Sequence, residues 1–115
     1  MTKIALLIQH KTQPGKRDEV RKIWERYMQP NIAKNPGHEA YFYCFDNDDP
    51  DRICAFQQYT SLEASQDFLK TDSYAAYLKE VETLIAEPPQ FTWVTPVWVK
   101  GEWFWEFIPL RDTNE

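Results

Sequence analysis

Two histidines, His10 and His38, are the side chains here that ordinarily change charge near neutral pH, so they are the first candidates for moving protons. His38 follows the turn Asn35-Pro36-Gly37 and opens a strand. It is the candidate general base, against the competing reading of an exposed loop histidine. His10 closes an apolar strand, and for it the reading of a solvent-exposed histidine is stronger still. Tyr59 is the second catalytic candidate. Tyr41, Tyr43, Gln57, Tyr59, Tyr74 and Tyr77 are the candidate lining of a substrate pocket, because a tyrosine pairs an apolar ring with a hydroxyl that can hold a ligand oxygen. Of the five tyrosines, about two are expected to touch a cavity, and the rest to pack in the core or an interface.

Other chemistries find no support. No Ser-His-Asp pattern and no Gly-rich phosphate loop is present. The two cysteines, Cys44 and Cys54, make no disulfide framework and read as buried reduced thiols, and with only two histidines there is no clustered ligand set for a metal. No metal, flavin or haem is therefore expected. The net charge is −5, and Lys16, Arg17, Arg21, Lys22 and Arg26 alternate with Asp18, Glu19 and Glu25. That is the pattern of a solvated helix face, not of a basic stripe that neutralises phosphates, so no nucleic-acid partner is expected. Arg52, beside Asp48, Asp49 and Asp51, reads as a surface ion pair. The apolar run Ile4–Ile8 is too short for a signal segment, and no stretch of about 20 apolar residues exists. A cytoplasmic protein without membrane contact is expected.

The chain has 115 residues, which suits one domain over 1–115, with a core of about 3–99 and an extension over 100–115. Residues 3–10 predict a strand apolar on both faces. After Pro14-Gly15, the spacing of Val20, Ile23, Trp24 and Tyr27 predicts a helix within 16–34, kinked or ended near Gln29 by Pro30. Residues 38–45 and 52–60 predict a hairpin around the polar turn Asp46–Asp51, with Cys44 opposite Cys54 as thiols. Thr60 with Glu63 reads as a capping box for a short helix to Leu69. Thr71-Asp72 caps a second helix, whose stripe runs from Tyr74 through Ile85 to the stop at Pro88-Pro89. Residues 91–99 predict a fourth strand limited by Pro96, and Trp103–Ile108 a short fifth. The order β-α-β-β-α-β is that of an α+β, ferredoxin-like domain: one antiparallel sheet with helices on one face.

In that fold the other sheet face is bare. Phe42, Cys44 and Phe56 alternate with Tyr41, Tyr43, Phe45, Ile53 and Ala55, so both faces are apolar. A homodimer that pairs the bare faces is expected.

The runs Pro14-Gly15-Lys16, Asn35-Pro36-Gly37 with Tyr41, and Asp49-Pro50-Asp51-Arg52 through Gln57-Gln58-Tyr59 resemble the antibiotic biosynthesis monooxygenase family of the dimeric α+β barrel superfamily. Leu62-Glu63-Ala64, Phe68-Leu69, Asp72-Ser73-Tyr74, Tyr77 and Pro88-Pro89 extend the resemblance over residues 3–99. It implies a homodimeric barrel and a cofactor-independent monooxygenase that oxidises a small phenolic or quinol-type aromatic molecule with O₂. The alternative is a non-oxidative binding protein or isomerase of the same fold. The chain departs from the family where many members carry acidic residues and a Trp, here Gln57-Gln58-Tyr59, and a His, here near Ser73. Haem-degrading relatives carry a His and an Asn where this chain has Leu78 and Ile8 or Gln9, which argues against haem chemistry. Trp103 and Trp105 are expected to brace a partner subunit, against the reading that they cap the pocket.

Overall fold

The computed structural model describes residues 3–100. Strand β1 (Ile4–Lys11) leads through a turn to helix α1 (Arg17–Tyr27) and the short helix α2 (Gln29–Lys34). A hairpin follows, β2 (His38–Phe45) and β3 (Arg52–Tyr59), then helices α3 (Leu62–Leu69) and α4 (Asp72–Val81). A 3₁₀ turn over Glu82–Leu84 leads to β4 (Gln90–Val94). The strands form one antiparallel sheet in the order β2-β3-β1-β4, an open ferredoxin-like sheet with the helices on one face. No helix among the described residues is long and apolar enough to cross a membrane.

Local chemistry sets most element ends. Gly15 takes φ +77, which a side chain would resist, and its N–H donates to the Asp51 carboxylate at 2.9 Å. The helical spacing of α1 buries Val20, Ile23 and Trp24. The first helical segment stops at Met28, and Pro30 then sits in the first turn of α2, where its missing N–H costs nothing. Thr71 caps α4 as its side chain accepts from the Tyr74 N–H.

Four expectations need correction. The cap of α3 is Ser61, whose Oγ accepts from the Ala64 N–H at 3.1 Å; the Thr60 N–H is spent on the Gly37 carbonyl at 2.9 Å. The helical stripe of Tyr74–Ile85 ends as α-helix at Val81. There the chain turns to bond β1's end, Gln13 N–H to Leu84 O and Ala86 N–H to Lys11 O, each at 2.8 Å. Strand β4 stops at Val94 because Ile4, the first residue of β1, leaves little further strand to pair and Pro96 has no N–H to give. Arg17 is no member of a solvated face: its Nη1 donates to the carbonyls of Asp46 and Asp49 at 3.0 Å and of Arg52 at 3.2 Å, and its guanidinium lies 4.0 Å over the Phe45 ring. The expected strand Trp103–Ile108, with Trp103 and Trp105, lies outside the described residues.

Directly opposed residues share a face, so the register defines rows across the sheet. Tyr41–Gln57–Leu6–Trp93 and Tyr43–Ala55–Ile8–Phe91 lie on the helix side, and Phe45–Ile53–His10 continues them. Phe42–Phe56–Leu7–Thr92 and Cys44–Cys54–Gln9–Gln90 lie on the bare side. A register shift between His38 and Ala40 puts His38, opposite Tyr59, on the helix side with Tyr41.

Candidate functional site

The helix-side rows meet α1, α3 and α4 around a cavity of about 20 Å³. Its lining includes His10 from β1, Trp24 and Met28 next to one another at the end of α1, Tyr41 and Tyr43 from β2, Gln57 from β3, Phe68 and Leu69 from α3, and Tyr74 and Tyr77 from α4. A polar space of this size holds about one water.

Aromatic contacts hold the wall. Trp24 stacks on Tyr43 with centroids 4.0 Å apart, and its Nε1 donates to the Tyr41 hydroxyl at 3.3 Å. Tyr74 and Tyr77 stack with their planes 25° apart and centroids at 6.5 Å, and the Tyr77 ring meets His10 edge-on at 6.4 Å. Such offset and edge contacts add roughly 0.5–1.5 kcal/mol each beyond area burial. Burial pushes the Tyr41 phenol up to about 12 and raises those of Tyr43, Tyr74 and Tyr77, so all four stay protonated at neutral pH. They are hydroxyl donors, not bases.

Two polar atoms here lack partners among the described residues: the Tyr43 hydroxyl and His10 Nδ1. Burial pulls the His10 imidazole down to about 4, so its ring is neutral at pH 7. An unpartnered buried polar group costs about 1–3 kcal/mol. Both residues line the cavity, and a ligand that paired with these atoms would relieve that cost.

A second layer positions Gln57. Its Oε1 accepts from the Tyr59 hydroxyl at 2.5 Å and from His38 Nε2 at 3.2 Å. The His38 Nδ1 accepts from Asn35 Nδ2 at 2.9 Å, and Asn35 Oδ1 in turn accepts from the Gly37 N–H at 3.0 Å. The tautomer of His38 follows: Nε2 carries the hydrogen and Nδ1 the lone pair. Burial lowers the His38 imidazole against the pull of Gln57. With Oε1 doubly engaged, the donor end of Gln57 is what it offers to the cavity.

Two hollows adjoin this cavity. A cleft of about 800 Å³ lies between α2 and the α3–α4 junction, and Phe68 lines both it and the cavity. A groove of about 350 Å³ runs beside Leu78, Glu82 and Pro88-Pro89, and His10 lines both it and the cavity.

The structure thus brings together Tyr41, Tyr43, Gln57, Tyr74 and Tyr77, so four tyrosines line the cavity where about two were expected. Tyr59 and His38 stand behind Gln57 and touch the cavity through it. Trp24 lies on the core side of α1, as its helical spacing predicts, and also lines the cavity; His10, which the sequence reads as solvent-exposed, is 6% exposed and lines it too. The signal was present in β1, where Leu6, Ile8 and His10 share a face. Cys44 and Cys54 oppose each other on the bare side as free thiols, but neither is buried as expected: Cys44 is exposed and Cys54 half-buried, because no helix covers that face. No group of three His, Cys, Asp or Glu side chains among the described residues could hold a metal ion.

Comparison with known proteins bears on this arrangement. The chain is similar to NE2512 of Nitrosomonas europaea, a protein of unknown function: 23% identity over 87% of this chain and 94% of that one, with a TM-score of 0.75. Rv0793 of Mycobacterium tuberculosis aligns at 19% identity over 87% of this chain and 100% of that one, TM-score 0.76. A variant of SnoaB, a cofactor-independent oxygenase from Streptomyces nogalater, aligns at 14% identity over 89% and 100%, TM-score 0.74. At these identities the likeness is one of fold. The comparison with curated proteins gives no match. The model of the antibiotic biosynthesis monooxygenase family matches residues 3–80, and the chain belongs to that family.

Proposed function

We propose that the protein is a cytoplasmic homodimer that oxidises a small phenolic or quinol-type compound with O₂, without metal or organic cofactor. The observation that carries this reading is the unpartnered Tyr43 hydroxyl in a cavity lined by protonated tyrosines. Cofactor-free oxygenation needs a substrate that itself supplies electrons once deprotonated. The protein's part is to hold the aromatic ring, to donate hydrogen bonds to the oxyanion, and to exclude water. Tyr43, Tyr41 and the Gln57 amide are the donors suited to an oxyanion, and Trp24 and Tyr74 are the rings suited to stacking on the substrate. His38 and Tyr59 act as positioning residues by fixing the orientation of Gln57.

A one-water cavity must widen to admit a ring. Phe68 is the wall shared with the large cleft, and a swing of its side chain would join the two spaces. Family membership and the fold shared with an oxygenase such as SnoaB support the oxidative reading over simple binding.

The test is oxygen uptake with naphthohydroquinone. A product that gains one oxygen atom from labelled O₂ and loses two hydrogens, with a rate lowered in Tyr43→Phe, is the expected result. Uptake no faster than the uncatalysed reaction overturns the oxidative reading. Binding of the quinol without turnover would assign the site to the non-oxidative alternative.

A further inference from the structure

We infer that His10 is the proton acceptor of this site: its Nδ1 takes the hydroxyl proton of a bound phenol or quinol and later returns it to reduced oxygen. The inference rests on the reading of the cavity as a phenol site and names a base which that reading leaves open.

Three observations converge on the residue. His10 is 6% exposed, and its Nδ1 has no partner among the described residues, although a buried imidazole nitrogen is ordinarily bonded. It lines the same cavity as Tyr43, whose hydroxyl is the other orphan. The same ring lines the groove beside Glu82 and Glu87, at the sheet end beyond the last β1–β4 pair, Gln9 with Gln90. The imidazole therefore bridges a dry interior and a wet exterior.

The surroundings fit a base that is neutral when empty. From α4, Tyr77 meets the ring edge-on; from β2, Tyr41 and Tyr43 share the cavity; from β3, Gln57 does so. Arg21 and Glu25 of α1 lie near enough to act on Tyr43 with opposite signs. Glu82 and Glu87 line the groove that the ring also lines. In the empty cavity an imidazolium is disfavoured by burial, so the lone pair is available at neutral pH. Once a phenol gives up its proton, imidazolium and phenolate form a neutral, hydrogen-bonded pair.

The chemistry closes on itself. The quinol O–H proton moves to Nδ1, and the quinolate carbon forms a C–O bond to O₂. The proton on His10 passes to the distal peroxide oxygen. The O–O bond then breaks, and that oxygen leaves as water with the hydrogen of the same carbon, which keeps the other oxygen as a carbonyl. The substrate supplies all four electrons, and no proton is exchanged overall.

Nitrophenol is the probe, because its phenolate absorbs where the phenol does not. Bound to the unaltered protein, it should ionise at least one pH unit below its free value, a tenfold bias. In His10→Phe the ionisation should return to or above the free value, while nitrobenzene, which has no proton to give, binds within about twofold of the unaltered protein. His10→Gln, which keeps a polar side chain, should behave as His10→Phe and serves if the latter fails to fold. The same ionisation curve in either folded variant, or no binding of nitrophenol, overturns the inference. Absence of quinol oxidation with the nitrophenol shift intact would overturn the oxidative reading alone.

Discussion

The Tyr59 hydroxyl donates to Gln57 Oε1 at 2.5 Å, two residues back along the same face of β3. That bond, with His38 on the same oxygen at 3.2 Å, turns the Gln57 amide so that its nitrogen is free for the cavity. Tyr59→Phe should therefore cost about 1 kcal/mol of stability, the usual worth of one hydrogen bond. Quinol binding should also weaken severalfold, because the carboxamide is no longer held. Chemical denaturation and fluorescence titration read the two effects, and a stability loss with unchanged affinity would make the bond purely structural.

Tyr43 predicts the opposite sign of stability. Its hydroxyl is buried without a partner among the described residues, while its ring stacks on Trp24 at 4.0 Å. Tyr43→Phe keeps the stack and removes the unsatisfied group. The variant should be as stable as the unaltered protein or up to about 1 kcal/mol more stable. Binding of naphthohydroquinone should weaken about tenfold, as a donor to its oxygen is gone. Lost stability with unchanged binding would place the hydroxyl outside the ligand's reach.

The two histidines give stability a pH dependence. The His10 imidazole falls from 6.5 to about 4 on folding, and that of His38 is also lowered. For a base whose folded value is depressed, the unfolded chain binds more protons in the intervening range, so stability rises with pH there. Stability should be full above about pH 6.5 and fall on acidification towards pH 4, with His10 contributing at most about 3 kcal/mol. Asp49, held below its ordinary value first by its bond from Lys11, adds to the loss only in the carboxylate range. His10→Phe should flatten the decline above pH 4, measured by urea unfolding at a series of pH values. An equally steep decline in the variant would mean that His10 is hydrated in the folded protein.

Much of this architecture is written locally. Apolar residues three and four apart place Val20, Ile23 and Trp24 on the core side of α1, and the polar turn Asp46–Asp51 fixes the hairpin register with Cys44 against Cys54. The pairing of Tyr41 with Gln57 follows from that register, so part of the cavity wall was legible. His38 was harder to place: a register shift after it changes which face the strand start presents, and nothing in the residue types announces the shift. Arg17 looked like one more surface cation, because only the folded hairpin gathers three carbonyls around it. His10 was legible in its alternation with Leu6 and Ile8, but its value depends on what surrounds it. An imidazole set edge-on to Tyr77 with an unpartnered Nδ1 is a property of tertiary packing, not of a strand.

The bare side of the sheet makes the last prediction. Phe42 is 58% exposed and Val94 40%, and Phe42 packs on Phe56 with centroids 6.3 Å apart. Leu7 and Thr92 extend the row, so an apolar band crosses all four strands. Helices cover only the other face. A band of this kind is ordinarily buried against a partner, and a second copy of the same sheet offers a self-complementary one under two-fold symmetry. Phe42 is the protruding member and the expected anchor, because aromatic residues at the centre of an interface carry most of its energy. Light scattering at micromolar concentration should give twice the chain mass for the unaltered protein and the single-chain mass for Phe42→Arg, since the substitution puts an unpaired charge into the apolar band that the interface buries. The cavity lies on the opposite side of the sheet, so a folded monomeric variant should retain quinol binding unless the partner braces β2. A monomer from the outset, or a Phe42→Arg dimer as tight as the original, would remove this face from the interface.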